Sequence, residues 1–363
     1  MLAKIFVSAG LILIFTANLT AVDNRKVAIV QNKDVLDSSD FVVIDNFVDD
    51  AIRELIDAKD FSEISRLRSD IIANSVAKNE SSKAQYHNQF TKSAAEHISA
   101  ALKSSQSLPA DKKFKVVLNL LMIIEGLGDI QLSSLVVDKI DDDNAAFRYW
   151  AIKCFASPEV IKQLNDAGEN SVSAQVVSRI NKVIDKSDDT LLVLISGLAS
   201  EIKSQSAVGG TELLIRIADL RIKQYEQWQV NDEITDAAVL KALYNKIVSG
   251  EGGADMAKRF CNLYSFVCQR YLKGVNLSAA HKDKLITVMV EIEDKCISKL
   301  LVRQTKIREA IQKKDNAALQ AEIDRLLGDA NTEGKLPVKL NIQYRGPDGK
   351  ESTAPAALPA PPK

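Results

Sequence analysis

The chain is poor in the residues that make chemistry legible. It has four cysteines in 363 residues, Cys154, Cys261, Cys268 and Cys296, and no Cys-x-x-Cys pair, which excludes a dithiol redox motif and a thiolate zinc site of ordinary spacing. The three histidines, His87, His97 and His281, form no His-Glu-x-x-His and no Cys/His cluster, so no metal site is expected and all three read as surface residues. No Gly-x-Ser-x-Gly elbow and no Gly-Lys-Ser/Thr loop occurs, and three scattered histidines supply no Ser/His/Asp set. No catalytic residue and no cofactor is therefore assigned. Neither sign of charge is in excess, with 47 Lys+Arg against 48 Asp+Glu, so no nucleic-acid or anionic-membrane partner is implied. Glycine (15) and proline (8) are scarce for the length, which is the composition of a mostly helical protein.

What is present begins at the N-terminus. Lys4 precedes an almost wholly apolar run over residues 5–17, and Leu19-Thr20-Ala21 supplies a small-residue cleavage site. These are the three regions of a secretory signal peptide. The run is too short to span a hydrocarbon core of ~30 Å comfortably. Residues 1–21 are read as that leader, and the protein is expected to be secreted or periplasmic. No later stretch approaches the roughly 18 apolar residues of a membrane span. An oxidising compartment permits disulfides. Cys261 and Cys268, two helical turns or ~10 Å apart, cannot pair with each other. Each cysteine lies on an apolar stripe, and four buried free thiols are expected.

Helical periodicity runs from about residue 39 to residue 327. Ser38, Ser39 and Asp40 offer caps for a helix to Ala58, and Asp60 for the next. Residues 111–126 are apolar nearly all round, the pattern of a helix buried between neighbours. Shorter helices follow, with Pro158 at a first helical position and turns at Gly209-Gly210 and Gly250-Glu251-Gly252-Gly253. Residues 278–314 read as one long helix, and Asp315-Asn316 begins a last one to Leu327. Residues 336–345 alternate apolar and polar, which predicts a short strand, with residues 26–30 as a possible partner. Gly346-Pro347-Asp348-Gly349 signals a turn, and the Ala/Pro-rich end reads as disordered or polyproline-like.

Three helix ends look alike, at 122–128, 150–156 and 193–199, each preceded by a polar, acidic turn. Aligning Leu127, Phe155 and Leu198 gives spacings of 28 and 43 residues. A two-helix unit of this period cannot bury its own apolar face, so units stack. Within one unit, roughly 128–158, the acidic turn Asp142-Asp143-Asn144 followed by Phe147, Arg148 and Ala151 resembles a HEAT-like repeat. In the next unit Leu191 stands where the arginine would be. The resemblance implies a scaffold that binds and names no ligand.

Other candidates are weighed residue by residue. Asp141-Asp142-Asp143 lacks the alternating spacing and glycine of a calcium loop, so it reads as a solvated turn with which Arg148 pairs. The glycines at 250–253 lack a strand before them and read as a plain connection. Phe260, Tyr264, Val267 and Tyr271 form a stripe expected to pack against Met289, Ile292 and Cys296. Tyr225 and Trp228 lie one turn apart among polar residues and are the candidate partner-binding pair, able to anchor a protein or stack on a sugar.

The chain is thus expected to be all-α, an α-solenoid of stacked HEAT-like helical hairpins. The expected order is leader 1–21, extended segment 22–38, helical repeat domain 39–330, extended segment or strand 331–346, and disordered tail 347–363. The expected function is that of an exported, non-catalytic scaffold engaging a protein or peptide partner. The competing classes are an extracytoplasmic enzyme of unrecognised type and an envelope protein self-associating through helix 278–314, whose polar face weighs against a long coiled coil.

Overall fold

A computed structural model describes residues 24–166, 171–203, 209–302, 304–346 and 349–362. The expected leader, 1–21, lies outside the described residues. The chain divides into two compact units, one ending at Ala101 and the other beginning at Leu102, a division inside the stretch read as one array.

The first unit holds α1 (Asn24–Val30), α2 (Ser38–Asp57), α3 (Phe61–Ala73) and α4 (Lys83–Ser104) through Ala101. Residues 26–30, a candidate strand in an extended segment, are helical, because Val27 and Val30 are buried by packing on α2. The cap of α2 is Asp37, one residue before the expected caps. Its carboxylate accepts the Ser39 and Asp40 N–H groups, and Asp40 answers from the third helical position by accepting the Asp37 N–H at 3.1 Å. Asp60 caps α3 as expected, accepting the Glu63 N–H at 2.9 Å. His97 is not a bare surface histidine: it reaches from α4 to Asp45 and Asp49 of α2 at 3.1 and 3.2 Å.

The second unit contains α5 (Ala110–Leu127), α6 (Ile130–Ser134), α7 (Ala145–Phe155), α8 (Pro158–Asp166), α9 (Ser171–Val183), α10 (Asp189–Glu201), α11 (Gly210–Glu226), α12 (Ile234–Val248), α13 (Gly253–Lys273), α14 (Ala279–Ile292), α15 (Ser298–Leu300), α16 (Lys306–Gln312), α17 (Asn316–Leu327) and α18 (Lys335–Leu340). Two rows organise it. One row is α5, α7, α10, α12, α14 and α16, each packed on the next; the other is α9, α11, α13 and α17. Hairpins α10–α11, α11–α12, α12–α13 and α13–α14 tie the rows together.

Helices α7, α10, α12 and α14 start at Ala145, Asp189, Ile234 and Ala279, spacings of 44, 45 and 45 residues. This is a HEAT-like period, more regular than the 28 and 43 read from helix ends. Asn144, Asp188 and Ser278 cap three of these helices through side-chain oxygens. Gly210 is obligatory at the start of α11, because a Cβ there would overlap the Ala199 carbonyl of α10.

The long helix expected over 278–314 is broken. A π-helical turn, Glu293–Ile297, leads into α15, which ends at Leu300, and α16 is a separate helix packed on α14. Glu293, only 1% exposed, accepts the Ile307 N–H at 2.8 Å and the Arg308 N–H at 3.0 Å. It thereby caps α16 from 14 and 15 residues upstream. Residues 335–340 are likewise helix rather than strand. Leu336 and Pro337 are buried where α18 meets α13 and α17, and that burial overrides a period-two pattern. Among the described residues, strand pairing is confined to an isolated antiparallel bridge between Gly328 and Glu333 and the antiparallel pair β1 (Tyr344–Arg345) and β2 (Glu351–Ser352). The Ala/Pro-rich tail, expected to be disordered or polyproline-like, lies over its described residues against α13.

Three residues of the aromatic stripe are core, as expected, while Tyr271 is half-buried. Phe260, Tyr264 and Val267 are fully buried, and the Tyr264 hydroxyl donates to the Met289 carbonyl at 3.2 Å. All four cysteines are buried and free. Burial pushes the Cys261 and Cys296 thiols up to about 12, with Cys154 and Cys268 raised further for the same reason. Such thiols are inert toward exchange at neutral pH.

Candidate functional site

The predicted pair, Tyr225 and Trp228, is separated by the fold. Tyr225 is wholly buried, and its hydroxyl donates to Asp236 at 2.6 Å. It is therefore no surface anchor, a correction to the sequence reading. The one-turn spacing that seemed to place both rings on a polar face puts Tyr225 on the inner side of α11, beneath α12. Trp228 lies past the end of α11 with φ +57, a left-handed conformation that a bulky side chain rarely adopts. The Arg270 guanidinium sits 5.3 Å from its ring centroid.

Tyr225 belongs to a buried ionic joint between α11 and α12. Arg221, 1% exposed, donates to both Asp236 oxygens at 2.7 and 3.0 Å, to Asp189 at 2.8 Å, to Gln224 at 2.9 Å and to the Asp232 carbonyl at 2.9 Å. Burial pushes the Asp236 carboxyl up, while Arg221 and Tyr225 pull it down. Beside the joint, buried Glu233 accepts from Arg270 at 3.2 Å and meets His281 at 2.8 Å, so this histidine too is engaged. Arg221 is paired with Asp236, and Arg270 with Glu233. The joint fixes α12 on α11.

The open chemistry lies on α10. Its inward positions Leu191, Leu192, Ile195, Leu198 and Ala199 are buried. Val193 and Gly197, one turn apart, face outward, and Val193 is 40% exposed. Between this face and α8 runs a groove of about 720 Å³. Pro158, Ile161, Val193, Leu194, Gly197 and Leu198 form its apolar floor, and Lys162, Asp166, Glu201 and Lys203 stand at its rim. Asn165 holds the walls in register, donating to the Glu201 carbonyl at 2.9 Å and accepting the Lys203 N–H at 3.0 Å. A smaller depression of about 330 Å³ continues across Val193 and Leu194 toward Tyr149, Asp189, Ile234 and Thr235. Ile234 is 40% exposed there. Asp189 is taken by Arg221 and Thr235, and Asp232 by Lys284 at 3.2 Å, so the surface offers apolar area more than charge.

Sequence reasoning did not single out these groove residues. The available signal was an α10 apolar around almost its whole circumference, with glycine on the outward side. The acidic turn is a structural turn: Arg179 pairs with Asp141, and Arg148 donates to the Asp142 and Asp143 carbonyls at 2.8 and 3.0 Å rather than to their carboxylates. Among the described residues, no group of three His, Cys, Asp or Glu could hold a metal ion, and no helix is long and apolar enough to cross a membrane.

No family profile matches the chain, and no curated protein matches it. Among solved structures it is similar to Kap121p bound to Ste12p (10% identity, TM-score 0.38), to Kap121p bound to Nup53p (10%, 0.36) and to Kap121p itself (13%, 0.36). Each match covers 85% of this chain and 34% of the other, so the chain spans about a third of the length of the proteins it matches. At these TM-scores the likeness carries no argument about activity. The all-α, HEAT-like helical repeat stands on the chain's own two rows and its period of 44 to 45 residues.

Proposed function

We propose that the chain is an exported, non-catalytic binding scaffold whose α8–α10 groove takes an apolar segment of a protein partner. The observation that carries the reading is the open apolar floor around Val193, which continues to Ile234 between helices held in register by Asn165. Aliphatic side chains left in water along a formed groove mark an interaction surface. A peptide with two or three aliphatic anchors fits a groove of this size, and the mixed rim of Lys162, Lys203, Asp166 and Glu201 favours no net charge in the ligand.

Panning a displayed peptide library on the chain tests this. Recovered peptides are expected to share aliphatic anchors and to lose affinity at least tenfold against Val193→Asp. Recovered binders indifferent to Val193→Asp would remove the groove as the site. Export rests on residues 1–21 and is tested by fusing them to a reporter active only outside the cytoplasm.

A further inference from the structure

The C-terminal segment is held by a set of side chains that read main chain rather than side chain. Gln269, on the last turns of α13, accepts the Leu358 N–H at 2.7 Å and donates to the Ala356 carbonyl at 2.9 Å. Lys273, one turn further, donates to the Leu358 carbonyl at 2.7 Å. Trp228, across from α13, donates its indole N–H to the Pro359 carbonyl at 3.2 Å. Four main-chain groups of one segment are thus met by three side chains, and Leu358 alone of residues 354–362 is buried, at 2% exposure. The rest of the segment is alanine and proline. Proline brings no N–H to satisfy and keeps the segment extended before it binds, so little entropy is lost on docking.

The segment also has a defined point of departure. The β1–β2 pair ends at Ser352, and the Thr353 hydroxyl donates to the Asp329 carbonyl at 2.6 Å. A Cβ at Gly328 would overlap the Thr353 carbonyl, so glycine there lets the chain pass. Beyond Thr353 no helix or strand holds residues 354–362. Main-chain readout by an aromatic N–H and a side-chain amide, around one buried aliphatic, is how a surface binds an extended proline-rich peptide.

We propose that Trp228, Gln269 and Lys273 form a receptor site for an extended proline-rich peptide with a single aliphatic anchor, occupied in this chain by its own residues 354–360. The site is separate from the α8–α10 groove and does not depend on it. A short tether supplies an effective concentration of about 1 mM, so a modest intrinsic affinity keeps the tail seated. A stronger peptide of the same class displaces it.

The test uses the full chain and a fluorescently labelled peptide of residues 351–363, followed by anisotropy. The unmodified chain is expected to show little binding up to ~1 mM peptide, because the tethered copy competes at that concentration. A full chain carrying Leu358→Asp frees the site and binds the peptide saturably; Leu358→Ser serves if the aspartate variant does not fold. Adding Gln269→Ala, or placing Leu358→Asp in the peptide, weakens binding at least tenfold. A folded Leu358 variant that fails to bind the peptide would overturn the proposal, as would binding indifferent to Gln269→Ala.

Discussion

The α11–α12 joint and the outer face of α10 invert the usual distribution of polarity. The joint buries an arginine, an aspartate and a tyrosine at 1% exposure or less, whereas the α10 face leaves Val193 in water at 40%. Both departures cost free energy, and they bring different returns. Arg221 and Asp236 are hydrogen-bonded to each other and to their neighbours, which fixes one arrangement of two helices. Val193 and Ile234 are each left 40% exposed by the fold, so part of their apolar area is covered only on binding.

The largest effect expected from breaking this contrast is at Arg221. Arg221→Ala strands the Asp236 carboxylate in the interior and should cost about 3–5 kcal/mol, read from urea unfolding. Replacing both partners, Arg221→Met with Asp236→Leu, should recover most of that loss, since it is the unpaired charge that is costly. Recovery of nothing would mean that the joint contributes through its other partners, Asp189 and Gln224.

Tyr225→Phe removes one donor to Asp236 and should cost about 1.5–3 kcal/mol, the range for a hydrogen bond to a charged group, with no change in partner binding. Unchanged stability, or a loss of binding, would contradict its placement in the joint. Val193→Asp is the converse. Its effect on unfolding should stay within about 0.5 kcal/mol, as for a surface site, while partner affinity drops at least tenfold.

The smallest effects concern pH and separate exposed carboxylates from buried ones. Hydrogen bonds from the Ser39 hydroxyl and from the Ser39 and Asp40 N–H groups hold the Asp37 carboxyl below the usual range. Its contribution is present above that range and is lost as pH falls through the lowered value. Burial raises Glu293 despite its two backbone donors, so the fold favours its protonated form; that contribution is full below the usual carboxylate value and is lost as pH rises through the raised one and the group ionises. The penalty of Asp37→Asn should therefore shrink toward acid, and that of Glu293→Gln should shrink toward neutral pH. Unfolding curves at pH 4 and pH 7 for both variants check the opposite signs.

Most helices were legible because apolar spacing and caps are local. Asp60, Asn144, Pro158 and Asp315 act where sequence rules place them. The failures share a cause. Glu293 caps a separate helix, α16, by reaching residues 14 and 15 positions away, and Leu336 and Pro337 turn an alternating stretch into helix by packing on α13 and α17. Tyr225 was misplaced because one turn of spacing does not say which side of α11 faces α12. The groove escaped notice because Val193 and Leu192 are equivalent in composition, and only the positions of α8 and α12 make one of them exposed.

By itself the sequence determined an all-α chain with a two-helix repeat, four cysteines on apolar stripes and no assembled catalytic motif, since these follow from periodicity, caps and residue counts. Only the tertiary structure decided that Tyr225 is locked inside, that Val193 faces an open groove and that the Ala/Pro tail lies on α13. Each of these depends on which helix stands opposite, and that is settled by the packing of segments tens of residues apart.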